Sequence, residues 1–215
     1  MIEGIIFDLD GTLWSTIDSC VKILREVKSR HPEITRDITR EEVKRSMGKP
    51  FDEIVNNYYG YIEREKAIII AKEAFEENIK NLMKNGGTLY PNLVEVIKEL
   101  SKEYKLFIVS NCIDGYIESF LETSNLKDYF LDYECNGRTN LSKGENIKLI
   151  MERNNIKDAV YVGDTISDKE AALYANIPFV YASYGFGEVE SYDYRIDDIN
   201  SLPTVLKNRK ETIWK

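Results

Sequence analysis

The sequence predicts an α/β fold in which a parallel sheet is flanked on both faces by helices and interrupted near its start by a small all-helical insertion. Three observations carry this. The run Ile5-Ile6-Phe7, bounded by Gly4 and Gly11, reads as a buried strand. From Tyr90 onward, strand-like apolar runs alternate with helical stretches, the pattern of a parallel sheet covered on both sides. From Ser15 to roughly Lys84 no second strand of the first type occurs, so that segment reads as helices inserted into the core. The expected core is 1–14 with 86–215, and the expected insertion is 15–85.

In the insertion, Cys20, Val21, Leu24 and Val27 share a helical face. Thr39 followed by the rest of TREEVKRSM reads as a capped helix start. Pro50 suits the first turn of another helix. YIEREKAIIIAKEAFEENIKNLM has neither Gly nor Pro, is charged around an apolar stripe, and predicts a long helix ended by Gly86 and Gly87. In the core, helices are predicted in PNLVEVIKELSKEY, GYIESFLETSN, KGENIKLIMERNN and DKEAALYAN. Strands are predicted in KLFIVSN, near LDYEC, and in AVYVGD and FVYAS.

Composition narrows the function classes. With 215 residues, 43% of them hydrophobic, the chain has material for one core carrying a smaller insert. A net charge of -8 argues against nucleic acid as a partner, because binding to a phosphate backbone draws on clustered positive charge. Cys20, Cys112 and Cys135 are odd in number and far apart, unlike a disulfide framework or a zinc site, and they suit a reducing cytoplasm. No apolar run approaches membrane-spanning length and the first residues include the acidic Glu3, so neither a signal peptide nor membrane association is expected. No long heptad seam demands association, so a monomer or weak homodimer is expected.

Ligands of open parallel sheets bind at the carboxyl ends of the strands. Three predicted strands end in polar residues there: FDLDGT, IVSN and YVGDTISD. Taken singly, a strand-end aspartate is more often a helix cap or turn former than a ligand. Together, Asp8, Asp10, Asp164 and Asp168 would gather negative charge that a cation must join. Oxygen-only ligands select a hard ion, and Mg²⁺ is the natural one beside substrate phosphate. Lys143 at a helix start, with Thr12 and Ser110 as hydroxyl donors, would complete a phosphoryl-binding pocket. His31, the single histidine, lies in the insertion, and neither Ser110 nor the cysteines have a base partner. The nucleophile that remains is an aspartate. A carboxylate can attack phosphorus while a second carboxyl protonates the leaving oxygen, and Asp8 and Asp10 suit those roles.

In this order, FDLDGT, VSN, an isolated Lys143 and GDTISD resemble the four motifs of the haloacid dehalogenase-like hydrolase superfamily. The resemblance spans nearly the whole chain and is greatest to the phosphoglycolate phosphatase and β-phosphoglucomutase branch. It implies a Rossmann-like core with a helical cap, and an Mg²⁺-dependent phosphatase acting on a small phosphorylated metabolite through an aspartyl-phosphate. It implies Asp8 as nucleophile and Asp10 as general acid/base, with the Asp10 backbone carbonyl also on the metal. Ser110 and Asn111, with Thr12, fall at phosphate-binding positions, Lys143 at the charge-neutralising position, Asp164 at a metal position and Asp168 beside it in support. MGKPFDEI resembles the cap's substrate-specificity loop and places Gly48 and Lys49 near substrate.

Departures from the pattern are WSTID after DGTL, where many relatives carry an acidic residue, and SKGENI around Lys143, where a proline is common. A sugar-phosphate mutase is the alternative, although mutase relatives carry a histidine where Cys20 stands here. Dehalogenase chemistry has no need of Asp10, and a non-catalytic binding protein has no need of the full motif set.

Overall fold

The structure is a computed structural model that describes residues 2–47, 49 and 51–212, with side chains through Asn208. The chain divides into two compact units, Met1–Ser15 with Leu89–Lys215, and Thr16–Thr88. The strands are β1 (Gly4–Phe7), β2 (Trp14–Ser15), β3 (Thr88–Leu89), β4 (Lys105–Ser110), β5 (Asp132–Cys135), β6 (Ala159–Gly163), β7 (Phe179–Ala182) and β8 (Tyr194–Ile196). Six of them form one sheet in the order β5-β4-β1-β6-β7-β8, every ladder parallel. The two-residue strands β2 and β3 make a separate ladder.

The register sets the site. Phe7 lies level with Ile108 of β4 on one side and Val162 of β6 on the other. Asp8, Ser110 and Asp164 therefore leave three neighbouring strands at the same carboxyl rim. The chain runs from β1 to β4 and β5 on one side before returning to β6 on the other, so β1 is the switch point where such sheets open a crevice. The central strands Ile5–Phe7, Leu106–Val109 and Val160–Val162 are wholly buried, as apolar runs covered on two faces must be.

The helical unit holds α1 (Ile17–Arg30), α2 (Arg40–Ser46), α3 (Phe51–Tyr59) and α4 (Arg64–Asn85). Thr39 caps α2 through a capping box with Glu42, and Gly86 follows α4 at φ 74°. The stripe of α1 is rotated from the sequence expectation: Ile17, Ile23, Leu24 and Val27 are buried, whereas Cys20 and Val21 are half-buried.

The core unit carries α5 (Leu93–Leu100), α6 (Tyr116–Thr123), α7 (Asn136–Thr139), α8 (Lys143–Arg153), α9 (Ile166–Ala175) and α10 (Leu202–Thr212). Ile147 and Ile150 of α8 and Ala171, Ala172 and Ala175 of α9 pack with Ile6, Phe107, Val109 and Tyr161 of the sheet. Gly144 lets these two helices close up: a Cβ there would fall 2.7 Å from the Tyr174 ring. Strand β8 and helix α10 add to the elements read from sequence. No helix among the described residues is long and apolar enough to cross a membrane.

Candidate active site

The turn after β1 is built by its backbone. The Asp8 amide donates to Val162 O at 2.8 Å, a last rung of the sheet, and the Leu9 carbonyl then accepts from the amides of Thr12, Leu13 and Trp14. Gly11 sits at φ 91°, a region open to glycine, and a Cβ there would meet Asp164 Oδ2 at 2.3 Å. Gly185 closes on Asp164 from another side, where a Cβ would stand 2.3 Å from the aspartate's own Cβ. These glycines make room for one carboxylate.

Asp8, Asp164 and Asp168 are buried, and each has a carboxylate oxygen within 4.8 Å of the others. Lys143 lies among them, 8% exposed, with Nζ 2.9 Å from Asp8 Oδ1 and 2.5 Å from Asp168 Oδ1. As the first residue of α8, Lys143 is fixed by the Ser142–Glu145 capping box that starts the helix. Asp168 is both a cap and a positioning group. Its Oδ2 accepts from the amides of Asp164 and Thr165 and from the Thr165 hydroxyl, while Oδ1 holds Lys143. Asp164 accepts from Thr12 Oγ1 at 3.3 Å and from the Phe186 amide at 2.7 Å.

Electrostatics follow from this crowding. Burial, with the Asp168 charge adding to it, pushes the Asp8 carboxyl up to about 6 against the pull of Lys143. Asp10 is pushed up to about 7 by burial and by Asp8, and Asp164 is raised well above the carboxylate range by burial and by Asp168 and Asp8. Burial works against the Lys143 ammonium, yet Asp168 and Asp8 outweigh it and hold its pKa above the usual lysine value. Three buried aspartates face one lysine, which leaves negative charge over. The donors are oxygens alone, and Asp168 is already occupied by Lys143 and Thr165, so a hard divalent ion fits against Asp8 and Asp164.

Asp10 is half-buried and turned to other partners, Trp14 Nε1 and the Tyr116 hydroxyl. Ser110 is buried at the end of β4, and Asn111 after it is exposed. Lys49 belongs to the helical unit, where it is exposed and paired with Glu53, and Gly48 lies outside the described residues. His31 is likewise in the helical unit, bonded to Glu73.

Several contributors escaped the sequence reading. Gly185 and Phe186 fall in the YGFG turn, whose glycines were the available signal. Tyr161 donates to Val109 O at 2.8 Å from within an apolar strand, and nothing in that run marks it as polar. The Tyr184 hydroxyl donates to the Thr12 carbonyl at 2.9 Å and ties that turn to the β1 loop.

Residues 5–182 match the family model of the haloacid dehalogenase-like hydrolases. The chain belongs to that family. It is 26% identical to phosphoglycolate phosphatase of Aquifex aeolicus over 95% of this chain and 96% of that protein. It is 24% identical to the phosphoglycolate phosphatase of Escherichia coli K12, over 92% of this chain and 88% of that one. Its fold is that of a haloacid dehalogenase-like family hydrolase from Streptococcus pneumoniae, with a TM-score of 0.78, 18% identity, and coverage of 95% and 98% of the two chains.

Proposed function

We propose that this phosphatase hydrolyses a small phosphorylated metabolite through an aspartyl-phosphate on Asp8, with Mg²⁺ held by the carboxylates of Asp8 and Asp164 and the backbone carbonyl of Asp10. The observation that carries this reading is the buried chain Asp8–Lys143–Asp168 beside Asp164 at the switch point of the sheet. It fixes one carboxylate where phosphate would enter and supplies no competing nucleophile–base pair. When bound, Mg²⁺ offsets the negative charge shared by the carboxylates and the phosphoryl oxygens.

An Asp8 carboxylate oxygen attacks phosphorus, and the bond from phosphorus to the ester oxygen breaks. Asp10 gives its proton to that oxygen, which leaves as the alcohol. Water then attacks the phosphorus of the aspartyl-phosphate and yields a proton to Asp10, releasing inorganic phosphate and restoring both side chains. Lys143 keeps Asp8 oriented and balances charge on the transferring group, while Thr12 and Ser110 offer hydroxyls to its oxygens. The names of the relatives make 2-phosphoglycolate the first ester to try. The position of Cys20, where mutase relatives carry a histidine, favours release of phosphate over its return to a sugar.

The test is inorganic phosphate release from a panel of metabolite esters, headed by 2-phosphoglycolate, with and without Mg²⁺. Turnover that needs Mg²⁺ and stops with chelator is expected. Full turnover in excess chelator overturns the metal assignment, and isomerised sugar phosphate without net release overturns the phosphatase reading.

The raised carboxyls give a second expectation. Asp8 holds its proton in the fold up to about 6, against 3.8 for the free group, so its contribution to stability is present below 3.8 and is lost as pH rises through that window. Mg²⁺ binds the ionised forms and removes the penalty. The rise in melting temperature on adding Mg²⁺ should therefore be larger at pH 7.5 than at pH 5. An equal rise at both, followed by differential scanning fluorimetry, would place the ion elsewhere.

A further inference from the structure

Two donors from separate parts of the core converge on a single oxygen of Asp10. Trp14 Nε1 donates to Oδ1 at 2.7 Å, and the Tyr116 hydroxyl donates to the same atom at 3.3 Å. Trp14 is wholly buried and lies at the far side of the Gly11 turn, whose amide donates back to the Trp14 carbonyl at 2.9 Å. Tyr116 is the first residue of α6, reached through the loop that follows β4. The indole meets the rings of Tyr116 and Phe120 edge-on, at 5.5 and 5.1 Å, which fixes the two donors relative to each other.

An oxygen that accepts from an indole N–H and a phenol has no room for a proton of its own. The proton of a neutral Asp10 carboxyl therefore sits on Oδ2, and the two donors fix the side-chain torsion that decides where Oδ2 points. A buried indole needs an acceptor, but any backbone carbonyl would satisfy it. Spending this indole N–H on a site carboxylate, with a second donor beside it, is more than core packing requires.

We propose that Trp14 and Tyr116 are positioning residues that orient Asp10 as proton donor, presenting Oδ2 to the leaving oxygen, and that they thereby favour esters of poorly leaving alkyl alcohols over activated aryl esters. This rests on the reading of Asp10 as general acid. An alkoxide needs the proton in order to leave, so misplacing the donor is felt fully. A nitrophenolate leaves without it.

The experiment compares kcat/KM for 2-phosphoglycolate and for p-nitrophenyl phosphate in wild type, Trp14→Phe, Tyr116→Phe and Asp10→Asn. This quantity covers steps only up to phosphorylation of Asp8, so the later attack of water drops out. Asp10→Asn should lose roughly 10²–10⁴-fold on the alkyl ester and far less on the aryl ester. Trp14→Phe should lose about tenfold or more on the alkyl ester and under about threefold on the aryl one, with Tyr116→Phe smaller in the same direction. Equal losses on both esters in both positioning variants, or no loss on the alkyl ester, while Asp10→Asn keeps its split, overturn this inference and leave the reading of Asp10 standing. An Asp10→Asn variant with equal losses overturns the reading itself, and this inference with it. Should Trp14→Phe fail to fold, Tyr116→Phe decides, since it deletes a single hydroxyl.

Discussion

Asp8→Asn is expected to abolish phosphate release and to leave no phosphorylated protein, while the fold persists. The amide is a poor nucleophile, and no other side chain stands where Asp8 does at the end of β1. The loss should be on the order of 10⁴-fold or more, the scale seen when a nucleophile is removed. Stability should behave in the opposite sense from activity. Ionised Asp8 is disfavoured in the fold, first by burial and then by Asp168, so its pKa stands at about 6. Asparagine has the same shape without that charge, and Lys143 keeps Asp168 at 2.5 Å. In metal-free protein at pH 7.5 the melting temperature should fall by no more than about 3 °C, equivalent to roughly 1 kcal/mol for a chain of this size, or it should rise. Intact-mass measurement after quenching with a slow substrate checks the intermediate, and hydroxylamine should remove the label from wild type. A variant that still gains a hydroxylamine-labile phosphoryl group, or retains more than a few per cent of turnover, would move the nucleophile to another residue.

How far the molecule could be read in advance depended on whether the signal was local. The strands β1, β4 and β6 are short runs of Ile, Val and Phe, and β-branched and aromatic side chains between glycines and polar residues announce such strands without help from elsewhere. Strand β8 carries a half-buried, an exposed and a buried residue in Tyr194–Ile196, so no apolar run exists to be seen. Its pairing with β7 follows from the sheet already formed. Within the candidate site, Asp8 and Asp164 could be placed at one rim by the parallel-strand rule alone. The second partner of Lys143 could not. Asp168 lies 25 residues away at the start of another helix, and only the packing of α8 against α9 aims one at the other. The sequence puts Asp168 at the rim as a support beside Asp164, but the Thr165–Asp168 capping box that leaves its other oxygen for Lys143 appears only in the fold. Trp14 stood out in the sequence only as a departure after DGTL. Its acceptor depends on how the Gly11 turn folds back, which single-residue propensities do not encode.

Lys143→Met is expected to cost turnover by about 10²–10³-fold and stability together, and the two losses can be separated. The substitution keeps an unbranched chain and removes the charge that lies between two buried carboxylates. Breaking a buried pair from one side typically costs about 3–5 kcal/mol, because the partner charge is left uncompensated. Here Asp8 and Asp164 would lose the cation that holds their raised pKa values down, so these two carboxyls should hold protons to still higher pH. Groups whose pKa is raised in the fold lose their stabilising contribution as pH rises. The melting temperature of Lys143→Met should therefore drop further below wild type at pH 7.5 than at pH 5. Mg²⁺ should restore part of that stability by supplying positive charge to the same carboxylates. It should not restore turnover, because a cation on the carboxylate side leaves Asp8 without the contact that orients it and the transferring oxygens without a fixed ammonium. The comparison is made with saturating Mg²⁺ at a temperature well below the melting point of the variant, so that unfolding does not enter the rate. Near wild-type turnover under those conditions would reduce Lys143 to a structural cation that holds β1 and the start of α8 together. A low rate with intact folding and the larger pH 7.5 deficit would mean that one ammonium serves both purposes.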